Sequence, residues 1–278
     1  SDLLLREFKS VPKSLLYRLL RKGAIRVNSK RAKTDARVVT DDKIYVPSLR
    51  LGESGDIGRK SENLKVPNDF IEMIKANILY EDKYLLVLNK PAGVASHGGT
   101  GIIFGVAEVV KEIYKNDFIE LIHRLDRGTS GCLVLAKKSS VLKKLNQMLA
   151  DGDINKTYHA VVSGRWPKAC HRVELPLLKK EFGSKGVRQV FVDHKNGKSA
   201  LSTVSIISSF GEKATLLALH PKTGRTHQLR VHTAHMGSPI LGDDKYGNKN
   251  NIVNKQNKGI KISRMYLHAY KIKFKHPI

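Results

Sequence analysis

The sequence predicts an α+β protein: a mixed, largely antiparallel central sheet with flanking helices, preceded by a small α/β unit. Three observations carry this expectation. From residue 67 onward, strand-like and helix-like runs alternate, and strands dominate the second half without regular helices between them. Residues 51–66 are rich in Gly, Ser and charge, show no sustained period, and read as a linker. Ahead of them, Leu15, Leu16, Leu19 and Leu20 recur at helical spacing within a short basic segment. The expected organisation is therefore a basic domain at 1–50, a linker at 51–66 and a large domain at 67–278.

The elements follow in order. Residues 2–8 read like the middle of a helix. A second helix starts after Pro12 and Ser14 and stops at Gly23. Short strands are expected at Ile25–Val27 and Lys43–Val46. Tyr84–Leu88 reads as a buried strand. Val106, Val109, Val110 and Ile113 mark one helix face; Val141, Leu142, Leu145, Met148 and Leu149 mark another. Residues 157–162, 187–192, 201–207 and 215–219 read as strands, and a last strand-like run ends near Phe274.

Charge narrows the function. Lys and Arg total 50 against 25 Asp and Glu, a formal net charge of +25. That excess points to a polyanion, with nucleic acid ahead of an anionic membrane. Residues 1–50 carry 13 Lys and Arg against 5 Asp and Glu. Arg18, Arg21, Lys22, Arg26, Lys30, Arg31 and Lys33 crowd that segment and are expected to meet phosphates. Two cysteines, Cys132 and Cys170, do not make a disulfide framework, which fits a reducing cytoplasm. No run approaches the roughly 18 apolar residues of a membrane span.

The chemistry concentrates in His123-Arg124-Leu125-Asp126-Arg127-Gly128-Thr129-Ser130-Gly131. Apolar residues precede it (Phe118, Ile119, Leu121, Ile122) and follow it (Cys132–Ala136). Asp126 is thus expected in a polar turn between buried segments, as a nucleophile or base whose charge a cation holds. In Thr223–His232, strand alternation would put Thr226, Gln228 and Arg230 on one face. A buried arginine needs a counter-charge, and Asp126 is the attractive partner; phosphate contacts for Arg225 and Arg230 are the alternative. His227, His232 and His235 match no zinc spacing. Gly93–Gly105 lacks the Lys-Ser or Lys-Thr of a phosphate loop and reads as flexible. Tyr158, on a probable strand, is either ordinary sheet packing or a platform for a base.

Taken together, these motifs resemble the RluA family of RNA pseudouridine synthases. The resemblance runs through Asn89-Lys90-Pro91-Ala92-Gly93, residues 123–131, Lys156-Thr157-Tyr158, residues 223–232 and Tyr266-Leu267-His268-Ala269. His97-Gly98-Gly99, residues 175–179 and residues 243–247 look most like its RluC branch, which acts on large-subunit ribosomal RNA. Residues 1–50 resemble an S4 RNA-binding domain. The resemblance implies the pseudouridine synthase fold and an isomerase that needs no cofactor and no metal. It implies Asp126 as nucleophile at ribose C1′ or uracil C6, Tyr158 stacked on the uracil and helping to remove the C5 proton, and Arg230 paired with Asp126. It also implies Arg124 entering the RNA stack, Leu267 packing against the site and Arg225 on phosphate. A monomer acting in the cytoplasm is expected.

Overall fold

The computed structural model describes residues 2–8, 13–32, 36–46, 65–99, 102–115, 117–182, 187–247 and 262–278. Two compact units are present, Ser1–Leu64 and Lys65–Ile278. Of the expected linker, residues 51–64 lie outside the described residues.

In the first unit, helices α1 (Asp2–Glu7) and α2 (Lys13–Lys22) accompany a small antiparallel sheet of β1 (Arg26–Val27), β2 (Lys30–Arg31) and β3 (Ile44–Tyr45). Of the four leucines read at helical spacing, Leu15 has its side chain outside the described residues, and Leu19 packs partly buried. Leu16 and Leu20 are buried with Leu4, Ile25 and Ala32. The N–H groups of Gly23 and Ala24 donate back to the carbonyls of Leu20 and Leu19, closing α2. The β1–β2 turn, absent from the sequence reading, uses Asn28 and Ser29, both at positive φ, as a tight hairpin requires. Arg21, Arg26, Lys30 and Arg31 are exposed. The side chains of Arg18 and Lys22, and all of Lys33, lie outside the described residues.

In the second unit, α3 (Asn68–Lys75) leads into β4 (Ile78–Glu81), β5 (Leu85–Lys90), α4 (Val106–Ile113), β6 (Glu120–Leu121), β7 (Ser130–Ala136) and α5 (Ser139–Asp151). Next come β8 (Asn155–Ser163), β9 (Arg172–Glu174), β10 (Leu177–Phe182), β11 (Val187–Val192), β12 (Leu201–Phe210), β13 (Ala214–Pro221), α6 (Gln228–His235) and β14 (Leu267–Lys273). Among the described residues, the main sheet runs β4-β5-β7-β14-β8-β13-β12-β9, with β6 also on β7. Only β7 and β14 pair in parallel; every other pair is antiparallel. This is the mixed, largely antiparallel sheet expected. The β10–β11 hairpin stands apart as its own two-stranded sheet.

Strand β7 shows why its sequence is apolar without alternation. Leu133 and Leu135 face α3 and α4, packing with Ile74, Val106, Val109 and Val110. Val134 and Ala136 face α5, packing with Val141 and Leu145. A strand covered on both faces has no polar phase. The other half of the sheet packs Ala160, Val162, Leu217 and Leu219 with Trp166, Leu229 and Ile240.

One expected element is overturned. Residues 228–235 form helix α6, not a strand. Gln228, Leu229, Arg230, Val231, His232 and Thr233 are all buried, so no polar stripe exposes the helical period. The segment read as a flexible loop is also pinned in its described part. Glu108 Oε2 accepts the N–H groups of Gly98 (2.7 Å) and Gly105 (2.8 Å).

Gly131 sits at φ +108°, and a Cβ there would lie 2.7 Å from the Ala269 backbone nitrogen. Gly131→Ala is expected to cost roughly 2–4 kcal/mol, combining backbone strain with overpacking, as measured by urea denaturation. An unchanged midpoint would mean that β7 and β14 do not approach this closely.

Candidate active site

Asp126 occupies the turn between β6 and β7, and that turn is held from beneath. Ser96 Oγ donates to the Leu125 carbonyl (2.8 Å) and accepts the Leu125 N–H (3.0 Å). The Arg127 carbonyl accepts the Gly93 N–H, and Arg127 Nε donates to the Gly93 carbonyl (2.9 Å). Lys90, fully buried at the end of β5, donates to the carbonyls of Pro91 (2.9 Å), Val94 (2.6 Å) and Arg127 (3.3 Å). Burial pushes the Lys90 pKa down to about 8, and the charge of Asp126 opposes the fall. The ammonium therefore survives at neutral pH beneath the turn, where it and the charge of Asp126 attract.

The cation at Asp126 comes from far along the chain. Arg230 Nη1 donates to Asp126 Oδ2 at 3.1 Å, across 104 residues. Neither sequence neighbour fills that place: Arg127 turns to Gly93, and Arg124 is exposed. Arg230 itself is gripped by a second carboxylate. Its Nε and Nη2 donate to Asp243 Oδ2 and Oδ1, each at 2.7 Å, a two-bond fork of the strong kind. Asp244 Oδ1 lies 3.5 Å from Nη2 and is almost fully solvated, so its share is small. Burial opposes the charge on Arg230, but the bonds and charge of Asp243, then Asp126, outweigh it and raise the pKa. Burial would likewise raise Asp243; Arg230 and the N–H groups of Tyr246 and Lys245 turn it downward.

Local structure explains the aim of Arg230. Gln228 satisfies its whole amide. Its Oε1 accepts from Thr223 Oγ1 (2.7 Å) and the Arg225 N–H (3.1 Å), and its Nε2 donates to the Leu201 carbonyl and to Ser202 Oγ (both 2.9 Å). That clamp ties the start of α6 to β12. At the other partner, Gly242 has φ +77° and no room for a side chain against the Arg264 carbonyl, which lets the chain turn Asp243 inward.

The remaining expected residues fall as follows. Tyr158, on β8, packs against both main cores. Burial raises its phenol pKa, with the Asp126 charge adding to the effect. Leu267 is buried in the core cluster against which Tyr158 packs. Arg225 is exposed, with Nε on the Ser199 carbonyl at 3.0 Å. His123 accepts the Val134 N–H (3.3 Å), and burial lowers its pKa to about 4. The three histidines of residues 227–235 diverge: His227 faces Asp126, while His232 bonds Ser202 and the Leu175 carbonyl. Among the described residues, no three His, Cys, Asp or Glu side chains gather as an ion site. No described helix is long and apolar enough to cross a membrane.

This geometry meets its counterparts among known proteins. Residues 84–235 match the pattern of the RNA pseudouridylate synthase family. The chain belongs to that family. It is 43% identical over 275 residues to the ribosomal large subunit pseudouridine synthase C of Pasteurella multocida, covering 99% of this chain and 81% of that protein. Against the protein of the same name from Buchnera aphidicola subsp. Schizaphis graminum, identity is 42% over 277 residues, with coverage of 99% and 85%. The fold is similar to human RNA pseudouridylate synthase domain containing 4, with a TM-score of 0.62 at 26% identity over 74% of this chain and 87% of that one. A fold with these counterparts is the pseudouridine synthase fold.

Sequence reasoning passed over Lys90 and Asp243 as site residues. Lys90 was visible only as part of a motif. Asp243 had a signal, a carboxylate after a turn glycine 13 positions from an arginine that needed a counter-charge.

Two predictions follow from these contacts. Asp243→Ala should cost about 3 kcal/mol by stranding a buried guanidinium, and should lower kcat more than it raises KM. Urea denaturation and steady-state kinetics measure both, and unchanged kinetics would mean that Arg230 needs no fork to be aimed. For Lys90, the unfolded chain near its ordinary 10.5 holds a proton that the folded protein releases at about 8. Folding stability should therefore gain from Lys90 as pH rises through that window. The gain should vanish in Lys90→Met, which is itself destabilised because the Pro91 and Val94 carbonyls lose their donor, while the Arg127 carbonyl keeps the Gly93 N–H.

Proposed function

We propose that this chain isomerises uridines of large-subunit ribosomal RNA to pseudouridine, with Asp126 as the nucleophile. The observation that carries the reading is the Arg230–Asp126 pair, 3.1 Å apart, at a turn whose neighbour across the core is Tyr158. The names of the 42–43% identical relatives support the choice of ribosomal RNA.

The reaction needs a carboxylate that can attack ribose C1′ or uracil C6. The N1–C1′ bond breaks, the uracil turns in place, C5 bonds to C1′, the bond to Asp126 is released, and the C5 proton passes to solvent while N1 takes one up. Nothing is oxidised or reduced and no group is donated, so the residues named here suffice by class of chemistry. Asp126, with 29% of its side chain exposed, is open to a base drawn out of the RNA. Tyr158 keeps its proton at neutral pH, which suits a stacking platform better than a base. Leu267 backs that platform. In this reading Arg124, exposed two residues before Asp126, fills the gap left in the stack, and the exposed Arg225 meets a phosphate.

Residues 1–50 serve this reaction as an S4-like RNA-binding domain, with Arg21 and Arg31 among its phosphate contacts. Residues 67–278 form the catalytic domain. The net charge of +25 supports RNA attraction over the whole chain. The protein acts as a monomer in the cytoplasm, where ribosomal RNA is modified.

Tritium release from ribosomal RNA carrying 5-tritiated uridine tests the proposal. Wild type should release tritium in the presence of chelator. Asp126→Asn should release none yet retain RNA binding, since it removes charge and little volume. Normal release by Asp126→Asn would remove Asp126 from the mechanism.

A further inference from the structure

His227 and Tyr246 have no part in the reaction as described, yet both are built into the surroundings of Asp126. His227 precedes α6 at φ 53°, ψ 20°, the left-handed region, where Asn, Asp and His are the favoured non-glycine residues. That backbone turns its ring inward. Nε2 lies 3.7 Å from Asp126 Oδ2, the same oxygen that receives Arg230 Nη1. At that distance the ring faces the carboxylate without bonding to it. Nδ1 lies 2.7 Å from Tyr246 Oη. The Tyr246 ring packs edge-on against His227 and lies under the Arg230 guanidinium.

The hydrogen-bond ledger assigns the ring proton. Tyr246 Oη accepts the Val190 N–H at 3.0 Å. Its own O–H then needs an acceptor, and among the described residues the acceptor in reach is His227 Nδ1. A ring that accepts at Nδ1 carries its proton at Nε2, on the side of Asp126. The opposite tautomer would aim the Nε2 lone pair at a carboxylate oxygen. Burial lowers the His227 pKa, against the pull of Asp126 and Asp243 and with Arg230 and Lys245 reinforcing.

We propose that Tyr246 fixes His227 as the Nε2–H tautomer, which aims a second N–H at Asp126 Oδ2, at 3.7 Å, and makes His227 a positioning residue beside Arg230. Both donors converge on Oδ2. Among the described residues, no hydrogen bond is recorded to Oδ1, which is therefore the oxygen left to attack. This assignment rests on Asp126 being the nucleophile. His227 acts through the carboxylate and is a positioning residue.

Two measurements on the full chain test it. Nitrogen-15 NMR of the histidine rings should show His227 protonated at Nε2 and bare at Nδ1, with that preference lost in Tyr246→Phe. Kinetics of His227→Gln and His227→Asn supply the second readout. The Gln amide nitrogen reaches toward the Nε2 position, whereas the Asn amide reaches only the Nδ1 position. His227→Asn should fall below His227→Gln in kcat by about tenfold, the effect of one donor on a charged acceptor, with KM nearly unchanged. A purely structural role predicts the reverse order, because Asn tolerates the left-handed backbone better than Gln. An Nδ1–H tautomer in wild type, or His227→Asn matching His227→Gln, would overturn the assignment. A wild type that releases no tritium would instead sink the function proposed above, while the NMR measurement would still decide the tautomer.

Discussion

A guanidinium buried beneath the Asp126 turn sets the constraint on which this structure depends. Arg230 keeps only 8% of its side-chain surface, and an unpaired charge there would cost several kcal/mol. Asp243 removes that cost with a planar fork that uses two of the three guanidinium nitrogens. The third nitrogen is left pointing in one direction, toward Asp126. Three segments must therefore meet: the β6–β7 turn, the start of α6 and the turn after Gly242. Each carries its own clamp, respectively the Ser96 and Lys90 bonds, the Gln228 amide and the inward turn at Gly242.

Charge is balanced locally in a molecule that is far from balanced globally. Arg230 and Lys90 stand against Asp126 and Asp243, while the whole chain carries +25. The two regimes do different work. An unscreened surface excess draws in a polyanion over a distance of about a Debye length. A nearly neutral, partly desolvated cluster orients one carboxylate, where hydrogen bonds are strong and geometry counts. Mixing the roles would be costly, because a phosphate drawn to a free Arg230 would compete with Asp126 for the same donor.

The sheet supplies the rigidity this arrangement needs. Strand β7 is sandwiched between α3 and α4 on one face and α5 on the other, so the turn that feeds it has an immobile end. Parallel pairing with β14 at Gly131 brings Ala269 against the same end. Tyr158 and Leu267 lie on the adjacent strands β8 and β14, with Tyr158 packed against the core that holds Leu267.

Local patterns were legible in the sequence. The α4 face and the 187–192 strand fall where periodicity put them, because side-chain spacing along one element is a property of neighbouring residues. The polar turn at Asp126 was legible too, since apolar runs on both sides left it nowhere else to go. Helix α6 was misread as a strand because burial on nearly every side erased its period. Arg230 was recognised as a charge in need of a partner, but Asp126, Asp243 and Asp244 were all available. The sequence already favoured Asp126 as that partner; the tertiary structure added the Asp243 fork and so left one nitrogen for Asp126. It also put Lys90 beneath the turn and His227 against the carboxylate. These pairings join residues up to 104 positions apart, and short-range forces between such residues exist only once sheet register and helix packing have brought them together.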